Sequence, residues 1–207
     1  MKEEKLFKNI YNKPYSAPWT YKQIPKEIKE IKKLIPKNSK ILEIGCGEGN
    51  HAIFLANEGF EITAIDSSKN AIKFAKNKIN KKIKIKFLNQ EFSMISKYKN
   101  KFDFIFDWRF LHEIKNKNDR KKYIQFIHNA LKEDGKYLTV SFSGDSNFMG
   151  TGNIRTSPAG IKIYFATLKE TEELIKTKFK IIKSSHIIVP QKPKLKIKAN
   201  YILAQKL

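Results

Sequence analysis

The stretch ILEIGCGEGN (residues 41–50) carries an apolar run into an acid, Glu43, and then into three alternate glycines, Gly45, Gly47 and Gly49. KILEI (40–44) reads as a strand, and NHAIFLANEG (50–59) as a helix closed by Gly59. Glycines between a strand and a helix permit a tight turn and let a ligand come close to the backbone. A dinucleotide site would use G-x-G-x-x-G, with its third glycine packed at the helix. Here that place is taken by Asn50 and the spacing is G-x-G-x-G, which weakens a pyrophosphate reading. No G-K-[ST] follows, so the loop is not a P-loop.

Working outward, EITAID (61–66) is a second strand that ends in Asp66 and Ser67. An acid at that place, about 20 residues beyond the glycines, accepts the two hydroxyls of a ribose. Glycine loop and acid together point to an adenosine without a pyrophosphate. Helix and strand patterns then alternate. SKNAIKFAKNKI (68–79) is a helix, KIKIKFL (82–88) an alternating strand with lysines suited to a sheet edge, and FDFIFDW (102–108) a strand. DRKKYIQFIHNAL (119–131) is a helix closed by the turn KEDG (132–135), and KYLTVSFS (136–143) a further strand. Thr167 and Glu170 form a capping box for a helix reaching Lys176. Two last strands, 179–189 and 195–206, follow one another directly. This order predicts an α/β fold with a doubly wound parallel sheet, seven strands in all, and an antiparallel C-terminal hairpin. Ligands of such sheets bind beyond the carboxyl ends of the strands. The whole chain, 1–207, is expected to form one domain, with 1–36 as a leading segment and helix over the pocket.

Composition narrows the function. No run of about 18 apolar residues is present, and MKEEKLFKN lacks the apolar core of a signal peptide. A single cysteine, Cys46, excludes an internal disulfide and a Cys-rich metal site. A cytoplasmic monomer without membrane association is expected. The formal net charge of +22 raises the question of a nucleic-acid partner. Of the 42 basic residues, however, only Arg109, Arg120 and Arg155 are arginine, the residue suited to bidentate phosphate and base contacts. The charge is read as compositional, and a retained arginine as a sign that the planar fork matters.

The loop at 43–49 with the acid at 66 resembles the class I S-adenosylmethionine-dependent methyltransferases, whose sheet is Rossmann-like. The resemblance extends through FLNQEF (87–92), FDFIFDWRFLHEI (102–114) and LKEDGKYLTVSF (131–142). It implies S-adenosyl-L-methionine as cofactor. Glu43, Gly45 and Gly47 would line the methionine end, with Cys46 and Asn50 in the same loop. Asp66 and Ser67 would hold the ribose, Gln90, Glu91 and Phe92 would flank the adenine, and Asp107 and Trp108 would lie beside the sulfonium. YSAPWTYKQIPKEI (15–28) is similar to the leading segment of small-molecule enzymes resembling thiopurine, thiol and tellurite methyltransferases, in which a Trp lies over the pocket. Trp19 is the candidate here, or else a hydrophobic staple for the helix that follows. The N-P-P-[YFW] pattern of amino-methylating nucleic-acid enzymes is replaced by D-W-R-F.

The expected acceptor is thus a small molecule with an S, N or O nucleophile. RNA and a non-catalytic binding role remain alternatives. Asp107 and His112 are the candidate general bases, should the nucleophile arrive protonated. Arg109 and Arg155 both fall at upper strand ends and are expected to hold an anionic group of the substrate, whereas Arg120 is expected to face solvent. The glycine-rich loop 144–165 is expected to act as a mobile lid.

Overall fold

A computed structural model describes residues 10–79, 83–191 and 195–207. The earlier part of the leading segment, the first residue of the expected strand 82–88 and the turn between the last two expected strands lie outside these residues. Strands β1 (Lys40–Ile44), β2 (Glu61–Asp66), β3 (Ile85–Asn89), β4 (Phe102–Trp108) and β5 (Leu131–Phe142) run parallel, and β8 (Phe179–Gln191) and β9 (Leu195–Lys206) form an antiparallel pair. They make one seven-stranded sheet in the order β3-β2-β1-β4-β5-β9-β8. The order reverses beside β1, which opens the crevice where such sheets bind ligands. The expected doubly wound sheet with a C-terminal hairpin is therefore the observed one.

Strand alternation divides the core into two layers. Ile41, Phe104, Phe106 and Leu138 pack under α1 (Lys26–Glu30), α2 (Asn50–Asn57) and α3 (Lys69–Asn77). Leu42, Ile44, Ile105 and Tyr137 pack under α4 (Lys117–Ala130) and α5 (Leu168–Lys176). Parity then assigns the polar residues at the strand ends. Glu43, Asp66 and Trp108 share the first face, and Asp107 falls on the second.

Four details differ from expectation. The first helix is short and continues as a 3-10 turn, Ile31–Lys33. KEDG is a bulge within β5, since Phe102 pairs with Leu131 but Phe104 with Lys136; Asp134 there has φ +60°. The loop after β5 contains a two-stranded ribbon, β6 (Ile154–Thr156) and β7 (Lys162–Tyr164). Arg120 is buried, not solvent-facing, because it shares the apolar stripe of α4 with Tyr123, Ile124 and Ile127. Its guanidinium donates to the carbonyls of Leu111 (2.8 Å) and Ile114 (3.3 Å) and lies over the Tyr164 ring. The capping box is formed as expected, with Thr167 Oγ1 accepting from Glu170 N–H at 3.1 Å.

Candidate active site

A cavity of about 740 Å³ opens at the carboxyl ends of β1, β2 and β4. Its floor is the glycine loop. Gly47 has φ +52°, and a side chain there would meet the Tyr11 hydroxyl at 2.9 Å. Gly49 has φ +74°, and a Cβ would lie 2.4 Å from the Phe87 ring. Both positions demand glycine, one for the roof above and one for the core below.

The roof is the segment from Ile10 to Pro25. Trp19 Nε1–H donates to the buried Tyr11 hydroxyl at 2.8 Å, and both rings line the cavity. Burial and the nearby Asp66 push the Tyr11 hydroxyl well above its ordinary pKa, so it stays neutral. The segment is fastened from below. Tyr15 N–H donates to Glu48 Oε1 (2.7 Å), and Asn50 Nδ2–H to the Tyr21 carbonyl (2.6 Å). Lys78 pairs with Glu48 Oε2 at 2.9 Å, donates to Asn50 Oδ1 at 3.1 Å and stacks on the Tyr15 ring. Asn50 thus lines the cavity, but its amide is spent on fastening. Glu48, Tyr11 and Tyr21 were not singled out in the sequence; the acid inside G-C-G-E-G was the only hint of their role.

Glu43 is almost wholly buried. Its Oε1 faces His51 Nδ1 at 3.2 Å, while Oε2 has no hydrogen-bond partner. Burial raises its pKa, and His51 opposes the rise. Trp108 packs edge-on against His51, with ring centres 5.8 Å apart. Asp66 accepts from Gly47 N–H and from Ser68 N–H, both at 2.8 Å. Burial lifts it to about 6 against the pull of those two bonds. A carboxylate has about four acceptor positions, so Asp66 retains capacity for a ligand. Ser67, Glu91 and Phe92 line the same end. Gln90 lines only a small adjoining pocket of about 30 Å³, where its Oε1 is buried without a partner. Cys46 lines the cavity as a neutral thiol, because burial and Asp66 raise its pKa well above the ordinary value.

Beyond Trp108 the wall is made by Tyr21, Arg109, Phe110, His112, Glu113 and Phe142. Arg109 has φ +70°, and its N–H donates to the Val140 carbonyl at 2.7 Å. That left-handed turn carries the side chain off the strand and over the Phe142 ring, 4.6 Å from its centre. Burial lowers its pKa to about 10, with Tyr21, Glu113 and Tyr11 acting in the opposite sense, so it is a cation at neutral pH.

Three expected roles are corrected by this geometry. Asp107 is fully buried, does not line the cavity, and has both oxygens engaged. Oδ2 accepts from the Tyr137 (2.6 Å) and Tyr123 (3.1 Å) hydroxyls, and Oδ1 from Thr139 Oγ1 (3.0 Å) and Leu111 N–H (3.1 Å). Strand parity turns it under α4, away from any acceptor. Arg155 is buried behind the ribbon, where it donates to the carbonyls of Gly144, Ser146, Phe148 and Gly152 and covers the Phe165 ring. It braces loop 144–165 internally and is not offered to the cavity. His112 does line the cavity, but its Nδ1 accepts from Phe142 N–H at 3.2 Å. The ring proton is thereby assigned to Nε2, which faces Glu113 Oε1 at 3.4 Å. Burial lowers the pKa of His112 against the pull of Glu113, so the ring is neutral; with Nδ1 occupied by Phe142 N–H and Nε2–H turned to Glu113, it offers no spare lone pair to a substrate and orients Glu113.

Residues 41–135 match the sequence model of the methyltransferase domain family. YqeM of Bacillus subtilis, a protein provisionally named as a methyltransferase, is 33% identical over 111 residues. That alignment covers 53% of this chain and 45% of YqeM, so the chain spans about half the length of that relative. An S-adenosylmethionine-dependent methyltransferase from Methanosarcina mazei has the same fold, with a TM-score of 0.75 and 24% identity over 86% of this chain and 96% of its own. So does the 1,6-didemethyltoxoflavin N1-methyltransferase of Burkholderia thailandensis, solved with that compound and S-adenosylhomocysteine bound. Its TM-score is 0.77, with 20% identity, 99% coverage of this chain and 87% of that one. Together these matches show a methyltransferase-domain sequence pattern over residues 41–135 and, over most of the chain, the fold of S-adenosylmethionine-dependent methyltransferases.

Proposed function

We propose that the chain transfers a methyl group from S-adenosylmethionine to a small-molecule acceptor, in the manner of the thiopurine, thiol and tellurite enzymes that its leading segment resembles. The observation that carries this reading is the pair of carboxylates beside the glycine loop. Glu43 Oε2 is a buried acceptor without a donor, and Asp66 is positioned by Gly47 yet not saturated. An ammonium at the first and ribose hydroxyls at the second would complete both, which is what the cofactor's two ends offer. Glu91 and Phe92 would lie along the adenine, while Trp19 and Tyr11 close the roof. Trp108 would stand beside the reacting centre.

When bound, the cofactor supplies an activated methyl group, so displacement needs alignment and exclusion of water rather than strong acid–base help. The roof and the apolar walls supply the exclusion. Arg109 and Glu113, oriented by His112, supply the polar contacts that align an acceptor.

Calorimetry with S-adenosylmethionine and S-adenosylhomocysteine tests the reading directly. Binding of both is expected, and binding of neither overturns it. A screen of labelled-methyl transfer to thiols, amines, heterocycles and total RNA then identifies the acceptor class. The net charge of +22 favours RNA as a second reading. Against it, Arg120 and Arg155 are spent on internal carbonyls and Arg109 faces the cavity, so no guanidinium among these three is offered to phosphates. Binding to tRNA that weakens steeply with salt would revive the RNA reading.

A further inference from the structure

The acceptor end of the cavity is distinctive in its charge. Two cations, Arg109 and Lys115, line it together with two acids, Glu113 and Asp119. A carboxylated or phosphorylated acceptor brought to Arg109 would also meet Glu113, whose charge acts on that same guanidinium. Like charge placed there disfavours an anion. The surrounding walls are flat and aromatic: Tyr21, Trp108, Phe110, Phe142 and Phe148. Phe142 is itself stacked on His112, with ring centres 4.4 Å apart and the planes within 5°. This stack holds the imidazole so that its Nε2–H meets one oxygen of Glu113 and keeps the carboxylate turned to the chamber. Arg109 lines the same chamber, carried off its strand by the left-handed backbone and laid over the Phe142 ring. The chamber therefore holds both an acceptor carboxylate and a donor guanidinium among aromatic planes, a complement to a ring edge that both donates and accepts.

Resting on the methyltransferase reading above, we propose that the acceptor site takes a flat, uncharged N-heterocycle whose ring edge carries an N–H next to a carbonyl oxygen, the N–H donating to Glu113 and the carbonyl accepting from Arg109. This edge is lactam-like. The aromatic walls provide stacking, and the balanced charge removes the advantage of a free acid.

The test is equilibrium binding, read by tryptophan fluorescence or calorimetry on the full chain saturated with S-adenosylhomocysteine. Three probes are compared: lumazine, which has the lactam edge; 1,3-dimethyllumazine, which lacks the N–H; and 2-naphthoate, a flat anion of similar size. Lumazine is expected to bind roughly ten- to hundredfold more tightly than either of the others, the range of one charged hydrogen bond. Glu113→Leu, which removes the acceptor, should erase most of the preference for lumazine over its dimethyl form while leaving S-adenosylhomocysteine affinity in place. Arg109→Lys, which loses the planar fork, should weaken lumazine and dimethyllumazine alike. Tighter binding of naphthoate, equal binding of the two lumazines, or no binding of any probe to protein that holds S-adenosylhomocysteine overturns the proposal. Failure to bind S-adenosylhomocysteine at all counts against the cofactor reading instead.

Discussion

Two carboxylates stand at neighbouring strand ends on opposite faces of the sheet. Asp107, under α4, collects four donors from Tyr137, Tyr123, Thr139 and Leu111. Glu43, under the glycine loop, has one oxygen against His51 and the other without any donor. Both are buried, and burial raises the pKa of each. The difference is whether the fold itself satisfies the charge. Where it does, the acid is part of the framework. Where it does not, the acid keeps a demand that a molecule in the cavity would meet, because a buried polar group without a partner is costly.

That contrast can be broken by mutation. The largest effect is expected for Asp107→Ala, which strands two tyrosine hydroxyls, a threonine hydroxyl and an amide. Chemical denaturation should show a loss of about 3–5 kcal/mol, with cofactor affinity of the folded fraction little changed. Glu43→Gln should behave in the opposite way. Calorimetry is expected to show a loss of about 1.5–3 kcal/mol in S-adenosylmethionine affinity, with stability maintained or raised because the ionised form is disfavoured by burial. If Glu43→Gln destabilises the fold while leaving affinity alone, the two acids are alike and the comparison fails.

Asp66 sharpens the point through pH. Its folded value of about 6 lies above the ordinary 3.8, so the folded chain holds this proton more tightly than the unfolded one. The penalty for ionising it is absent below about 4, grows as pH rises and is complete above about 6. Cofactor hydroxyls favour the carboxylate, so affinity should rise up to about tenfold per unit as pH is raised from about 5 to 6, then level off. Asp66→Asn should flatten that profile. The smallest effect is expected for Arg155→Lys. A lysine ammonium, with three donors at one point, cannot span the four loop carbonyls of Gly144, Ser146, Phe148 and Gly152, so denaturation should show a loss of about 1–2 kcal/mol, and amide exchange should quicken at 144–155 without a change in cofactor affinity.

The parts of the site that are local in sequence were readable before the structure. Loop 43–49 and Asp66 are motifs of spacing, and spacing survives in a linear text. The cavity end beyond Trp108, proposed for the acceptor, is assembled from Tyr21, Arg109, Glu113, Phe142 and the ribbon loop, which meet only after the sheet closes, so no window of sequence contains it. Asp107 was misread for a definite reason. FDFIFDW is buried on both faces, as parallel strands are, so its apolar run gives no sign of which residues share a face. One register pairing, Glu43 opposite Phe106, supplies that sign. The inward position of Arg120 is legible in the sequence: with Tyr123, Ile124 and Ile127 it falls at i, i+3, i+4 and i+7, a stripe that faces inward. Arg155 left no trace, since its partners are backbone carbonyls that every sequence possesses.

The roof over the glycine loop has a kinetic consequence. It is a separate run of chain fastened at Glu48, Asn50 and Asn70 by contacts that a ligand does not make. A molecule held under it leaves by that side only as often as that run lifts. Along that route the fastenings set the rate, so loosening Lys78 from Glu48 would speed release and entry together and leave the dissociation constant nearly where it was.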